Sequence, residues 1–367
     1  MTPLCWAAMN GHLIVVKDIL NHAEIDADKP DLGGRSPLAW AAAMGHAGVA
    51  NLLLEREDVN PERTDNNGKT PLFWAAENGH GEVVRVLLCR QAANPDCPDD
   101  EGRTPLLIAA SKGKVSIVKQ LLGCYGVNPN FRNHSGGTAL YCAAEAGHVG
   151  LARLLVGEKQ IDVALPDNQG TTPLAVSAMN GHEEVVAVIM ASERNDVFPN
   201  LANRRGETPI LLAAANGHRE IVELLIDAGV NPDKPDNEGK TPLMRAALWG
   251  RGEVVKILLQ NANVNPNSYD MEGCTALHEA ALSGDHAIAR ILLESRRVSA
   301  ACISRWGQTP LLTAAMWDNT EVIKLLLGRD DVDPNWTDLD GLTPLFYAGL
   351  SVHDEASELL LNRGATK

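Results

Sequence analysis

An all-α solenoid of stacked helix-turn-helix units is the fold this chain predicts, and three observations carry the prediction. A Thr-Pro-Leu motif or a close variant recurs eleven times in 367 residues, beginning at Thr2, Ser36, Thr70, Thr104, Thr138, Thr172, Thr208, Thr241, Thr275, Thr309 and Thr343. The interval is 34 residues five times, then 36 and 33, then 34 three times. Small residues follow each motif, and most repeats then carry Gly-His. Self-similarity at this period marks a solenoid, in which no unit buries its apolar face alone and stacking builds one continuous core.

One repeat reads Asp65-x-x-Gly68-x-Thr70-Pro71-Leu72-x-x-Ala75-Ala76-x-x-Gly79-His80-x-Glu82-Val83-Val84-x-x-Leu87-Leu88, then a polar loop with Asn94-Pro95. Asp65 to Gly68 predict a tight turn, in which Asp bonds its own backbone and Gly supplies permissive torsions. Thr70 is placed to cap a first helix, with Pro71 in the first turn, where its missing N–H costs nothing. Ala75 and Ala76 keep that helix slim, so that neighbours approach to roughly 8–10 Å. Gly79 ends it in a left-handed conformation, and Val83, Val84, Leu87 and Leu88 form the apolar stripe of a second helix running back.

These residues closely resemble the ankyrin repeat, over essentially the whole chain. The resemblance implies turns that project as β-turn fingers, roughly at right angles to the helices. It also implies that partners are recognised on the concave groove and the finger tips. Repeats then start near Met1, Gly34, Gly68, Gly102, Gly136, Gly170, Gly206, Gly239, Gly273, Gly307 and Gly341, and residues 1–367 read as a single elongated array. At roughly 10 Å per step its length is on the order of 100 Å.

Composition narrows the function classes. There are 32 basic residues against 47 acidic ones, a net charge of −15, and this opposes binding to phosphate backbones, whose affinity comes from cationic neutralisation. No nucleic acid partner is expected. No apolar run approaches a membrane span, so no membrane insertion is expected, and Met1 to His12 is already repeat sequence instead of a signal peptide. Seven cysteines, with no Cys-x-x-Cys pair, read as free thiols in a reducing compartment, which predicts a cytoplasmic protein.

The pattern breaks in three places. The chain starts inside a repeat, without the Asp-x-x-Gly finger, so a longer polypeptide with an upstream domain is expected. Near the other end Gly349, Ser351, Val352 and His353 depart from the consensus, and His353, Asp354, Glu355, Ser357 and Glu358 put polar groups on the last helix, as a terminal cap would. Between Thr172 and Thr241 the loop Ala191 to Pro199 carries extra length, and Arg204-Arg205 follow in the next finger. A tolerated loop insertion explains this, with a bend or a local basic contact as the alternative.

Catalysis has no recognisable arrangement here: there is no Gly-x-Ser-x-Gly elbow, Walker loop or His-Glu-x-x-His helix. The chain reads as no enzyme and needs no cofactor, the alternative being a site assembled from carboxylates of several repeats. His12, His46, His80, His148, His182 and His218 share the Gly-His position. Adjacent repeats set them about 8–10 Å apart, too far to share a metal whose ligands lie about 2 Å away. Each is expected to bond backbone in the interhelix turn, and His278 to make a local structural bond.

Trp6, Trp40 and Trp74 share a register held elsewhere by Ile108, Val176 and Leu212, which predicts core packing. Arg245 and Glu279 stand in the same register, either as a pair across one step or as a polar floor for a ligand. The two positions before each Gly-His vary most, and towards the carboxy end they become apolar. Leu248, Trp249, Leu282, Met316 and Trp317 are joined by Trp306 on a finger tip and Trp336 at a finger base. This Trp-rich set has the composition of a binding hot spot and is the candidate partner site. The expected function is non-catalytic binding of a protein partner. The Asn-Pro loops and period are also similar to the arrays of multidomain fungal signalling NTPases, which implies a sensor arm. A cytosolic adaptor that recruits a target to a larger complex is the alternative.

Overall fold

In the computed structural model residues 1–22, 24–89, 93–192, 197–350 and 355–366 are described. Their regular structure is helical, running from α1 (Pro3–Met9) and α2 (Leu13–Leu20) to α21 (Pro344–Ala348) and α22 (Glu355–Asn362). The first helix of each repeat starts at the motif, for example α5 (Pro71–Asn78), α7 (Pro105–Ser111) and α13 (Pro209–Asn216). The cap works as the sequence requires: Thr70 Oγ1 accepts the Phe73 N–H at 3.2 Å, and Ser36 Oγ that of Ala39 at 3.1 Å. Helices of five to nine residues are too short to persist alone. Packing therefore stabilises them, and Ala41, Ala42, Ala75, Ala76, Ala109 and Ala110 are all buried. On α6 (Gly81–Cys89) Val83, Val84 and Leu87 are buried while Leu88 is only half-buried, so the stripe is narrower than the sequence suggests.

The described chain forms two compact units, one of Met1–Ser177 with Glu184–Val197, the other of Ala178–Glu183 with Phe198–Lys367. The division falls at the repeat of irregular length. In the first unit successive fingers are tied by single backbone bonds, such as Asn66 N–H to Gly33 O at 3.1 Å and Asp100 N–H to Asn67 O at 3.1 Å. Within each finger the Asp carboxylate accepts backbone N–H groups two and four residues on, as Asp65 does from Asn67 and Lys69. Gly68 at φ +74° closes that turn, a torsion that an L side chain resists.

The Gly-His pairs turn out to join repeats. His80 Nε2 bonds Ala43 O at 3.0 Å and His148 Nε2 bonds Ser111 O at 3.0 Å, so the acceptor is the helix end of the preceding repeat and not the histidine's own turn. Gly45, at φ +80°, lets the ring approach, since a Cβ there would lie 2.6 Å from His80 Nδ1.

The second unit repeats these devices with substitutes. His218 Nε2 bonds Met179 O at 3.0 Å, while Arg251 Nε donates to Ala215 O and Asn319 Nδ2 to Ala281 O where histidine is absent. His278 closes a capping box with Thr275 and also bonds Gln308 O in the next repeat at 3.0 Å, a longer reach than a local bond. Glu193 to Asp196 of the long loop lie outside the described residues, as do Ser351 to Asp354 of the terminal pattern break. Arg204 and Arg205 are exposed, and their carbonyls accept from Asn237. The terminal helix is not a wholly polar cap. Glu355 pairs with Lys324 and Glu358 is exposed, but Phe346, Leu350 and Leu361 are exposed too and line an apolar cleft of about 500 Å³ with Ser357.

Candidate groove site

The register that carries tryptophan in the first three repeats and charge at Arg245 and Glu279 includes side chains that reach the finger carboxylates, as Trp40, Trp74, Arg245 and Tyr347 do. Trp40 and Trp74 are half-buried and Trp6 is 51% exposed, so these indoles are not core, contrary to the sequence expectation. Ile108 and Val176, at the same register, are fully buried. An indole is bulkier than the space these aliphatics fill, and its N–H needs an acceptor. The finger supplies it: Trp40 Nε1 donates to Asp31 Oδ2 at 2.9 Å and Trp74 Nε1 to Asp65 Oδ2 at 3.0 Å. A cation covers the rings, with the Arg35 guanidinium 4.6 Å from the Trp40 centroid and 4.2 Å from that of Trp74.

In the second unit the same geometry is built from charges. Arg245 binds Asp236 through Nε at 2.9 Å and Nη2 at 2.5 Å, and reaches Glu238 at 3.0 Å. Glu279 binds Lys240, which also binds Asp270 at 3.0 Å. Arg245 and Glu279 therefore do not pair with each other: Arg245 is held by Asp236 of its own finger, Glu279 by Lys240 of the preceding repeat. Burial alone would lower the Lys240 pKa, but its bonds and charge pairing with Glu279 and Asp270 outweigh that and hold it above its ordinary value.

Lys240, Asp270 and Glu279 line a cleft of about 290 Å³, with Glu272 beside them, whereas Arg245 and Asp236 lie outside it. Its walls are Leu282, Trp306, Met316 and Trp317, four of the seven residues singled out from the sequence. Trp306 is 57% and Trp317 60% exposed, and Leu282 and Met316 are exposed as well. Leu248 and Trp249 are not in the lining, although Trp249 is also 57% exposed at the end of α15 (Pro242–Leu248). Trp336 does not join them: its Nε1 donates to Gly307 O at 2.9 Å and its ring lines a separate cleft with Thr309 and Asp333.

Cys274 and His278 also face the main cleft. Burial and the nearby carboxylates push the Cys274 thiol up to about 11, which keeps it protonated and unreactive. Burial lowers the His278 pKa, so the ring is a neutral donor to Gln308 O. Among the described residues no group of three or more His, Cys, Asp or Glu is placed to hold a metal, and all seven cysteines are free. No described helix is long and apolar enough to cross a membrane. Directly after Trp317, Asp318 takes φ 56°, the one described non-glycine residue in the left-handed region, and its buried Oδ1 has no partner.

The finger-to-groove bonds escaped the sequence reading, although a signal was present. Trp40, Trp74, Arg245 and Tyr347 each stand nine residues after a finger Asp, and each donates to it. Comparison with known proteins accords with this architecture. The family profile described as ankyrin repeats (3 copies) matches residues 1–65, 57–133, 106–200, 193–270 and 277–367. No curated protein compared with the chain matches it. With paired capped helices, finger turns and profile matches running along nearly all its length, the chain belongs to the ankyrin-repeat family.

Proposed function

We propose that this chain is a non-catalytic scaffold that binds a protein partner through the groove of its carboxy-terminal repeats, in the manner of a sensor arm in a cytoplasmic assembly. Ankyrin repeats in general serve protein–protein interaction. The observation that carries the finer reading is the cleft in which Leu282, Trp306, Met316 and Trp317 converge, with two indoles more than half exposed. Large aromatic side chains of this kind dominate interface energetics once a partner desolvates them. Leu248 and Trp249 extend the surface along the preceding repeat. The net charge of −15 favours a partner with basic surface over nucleic acid.

The test is affinity capture from the source cell with the intact chain and with Trp317→Ala and Trp306→Ala. Loss of one and the same protein from both variants, with helical content unchanged, is the expected result. Capture of that protein undiminished by either substitution would place the interface elsewhere.

A further inference from the structure

In the first unit the protein shows what its groove does with a cation. Arg35 lies between the Trp40 and Trp74 rings, 3.6 Å from Asp65, and Lys69 Nζ sits 4.3 Å from the Trp74 centroid while it pairs with Glu77. The cation comes from one register, the residue before the capping Ser or Thr, which is Arg35, Lys69, Arg103 and Lys240 in four repeats. In the two repeats whose helices wall the carboxy-terminal cleft this residue is Cys274 or Gln308, both neutral, and Lys240 of the preceding repeat supplies the one cation of this register in the lining. The cleft has indoles from other registers, Trp306 and Trp317, and the carboxylates of Asp270, Glu272 and Glu279 against the single ammonium of Lys240. Its charge balance is negative, and its aromatic faces are uncovered.

We propose that this cleft takes an arginine or lysine side chain of the partner protein, seated against Trp306 and Trp317 and drawn in by Glu272. The proposal rests on the protein-binding reading above and gives it a chemistry: cation–π contact together with a carboxylate in a partly desolvated site. The probe is a tetra-arginine peptide, with tetra-citrulline as its neutral isostere, followed through the indole N–H resonances at physiological salt. Arginine should shift the Trp306 and Trp317 signals and citrulline should not. Trp317→Leu and Glu272→Gln should each weaken binding at least about fivefold, on the scale of one such contact. Glu220→Gln, which removes one exposed charge elsewhere, should leave binding unchanged. Equal shifts from citrulline, or equal loss in Glu220→Gln, would overturn the proposal. If Trp317→Ala still abolishes partner capture while tetra-arginine moves neither indole, the cationic chemistry fails and the protein-binding reading stands.

A second, independent set of observations lies in the loops between repeats. Asn130, Asn267 and Asn335 share a register and each spans to the next repeat with both ends of its amide. Nδ2 donates to Gln160 O at 2.8 Å, Arg297 O at 2.7 Å and Gly364 O at 3.2 Å; Oδ1 accepts from Asp162, Ser299 and Thr366 N–H at 2.8 Å each. Asp96 and Asp233 occupy this register. Oδ2 accepts from Asn128 N–H at 2.6 Å and from Asn265 N–H at 3.2 Å, and Oδ1 is buried without a partner. An ionised carboxylate has no proton to offer where asparagine donates.

We infer that Asp96 and Asp233, when protonated, join adjacent repeats as asparagine does, and that their ionisation loosens the stack. Burial pushes both upward; no charged group acts on Asp96, whereas Ser268 and the Arg297 charge pull Asp233 partly back. Asp28, with the same orphaned Oδ1, differs in carrying Arg63 at 3.0 Å and in having Asp26 nearby. Because the folded pKa is raised, the folded chain keeps a proton that the unfolded chain has lost. The stabilisation is complete below the ordinary value of 3.8 and disappears as pH rises through the folded value. The test is the melting temperature of Asp96→Asn/Asp233→Asn against pH, beside carboxyl-carbon titration of the unaltered chain. The variant should melt about 2–4 °C higher at pH 7.5, with the gain shrinking towards pH 4, and both carboxyls should titrate above the exposed aspartates. A variant that melts lower at pH 7.5, a pH-independent gain, or titration with the exposed aspartates would overturn the inference.

Discussion

Trp74 and Trp317 sit in repeats of one design, yet their surroundings oppose each other. Trp74 donates to Asp65, lies under Arg35 and Lys69, and is half-buried; Trp317 is 60% exposed at a helix end beside a left-handed aspartate. In the first unit Trp40 and Trp74 are satisfied from within. In the second, Lys240 and Arg245 are spent on buried carboxylates and the indoles face outward. The difference teaches that tryptophan content alone does not locate an interface: the residue that covers the ring decides whether it contributes to the fold or remains open to a partner.

Substitutions at these two residues give the largest expected effects. Trp74→Ala strips Asp65 of a donor and two cations of their ring, and should cost about 2–3 kcal/mol, the scale of a hydrogen bond to a buried charge plus a cation–π contact. That is less than the loss of about 3–5 kcal/mol for a fully buried tryptophan. Trp317→Ala should change stability by no more than about 0.5 kcal/mol while weakening partner capture by about 2 kcal/mol or more. Denaturant melting beside capture reads both, and the reverse pattern would invert the comparison.

Ala110→Leu comes next. It overfills a first-helix interface that has no accessible surface and should cost about 1–3 kcal/mol. Asp318→Gly tests the strain beside Trp317: it should stabilise by about 1 kcal/mol, since glycine accepts the left-handed torsion and removes an orphaned carboxylate oxygen. No gain in melting would show that another contact holds this turn.

His278 gives a smaller effect, and one that depends on pH. Its folded pKa is lowered by burial, so the unfolded chain takes up the proton first. The His278 contribution is present above the ordinary histidine value of about 6.5 and is lost as pH falls below it. The protection of the α17 (Ala276–Ser283) amides, taken relative to their intrinsic exchange rate at each pH, should fall on acidification in the unaltered chain and do so less in His278→Gln. The smallest effect is Lys112→Ala, within about 0.5 kcal/mol, because the side chain is exposed.

The amino-acid sequence by itself determined the repeat, the helix starts at the capping Thr, the finger turns and the buried Ala pairs, because each follows from local chemistry repeated in register. Four residues of the carboxy-terminal cleft, Leu282, Trp306, Met316 and Trp317, were legible for the same reason, since variation against a constant background exposes positions freed from packing. Trp40 and Trp74 were not legible, because an apolar ring in an aliphatic register looks like core until the finger Asp and Arg35 are placed beside it. The pairing of Glu279 with Lys240, 39 residues away, was likewise decided only when one repeat was stacked on the next. Tertiary structure alone also separated Trp336 from the cleft and brought Asp270 and Glu272 under the indoles. Contacts between repeats depend on which long side chain reaches which neighbour first, and such competition among several charged partners leaves no periodic trace in the chain.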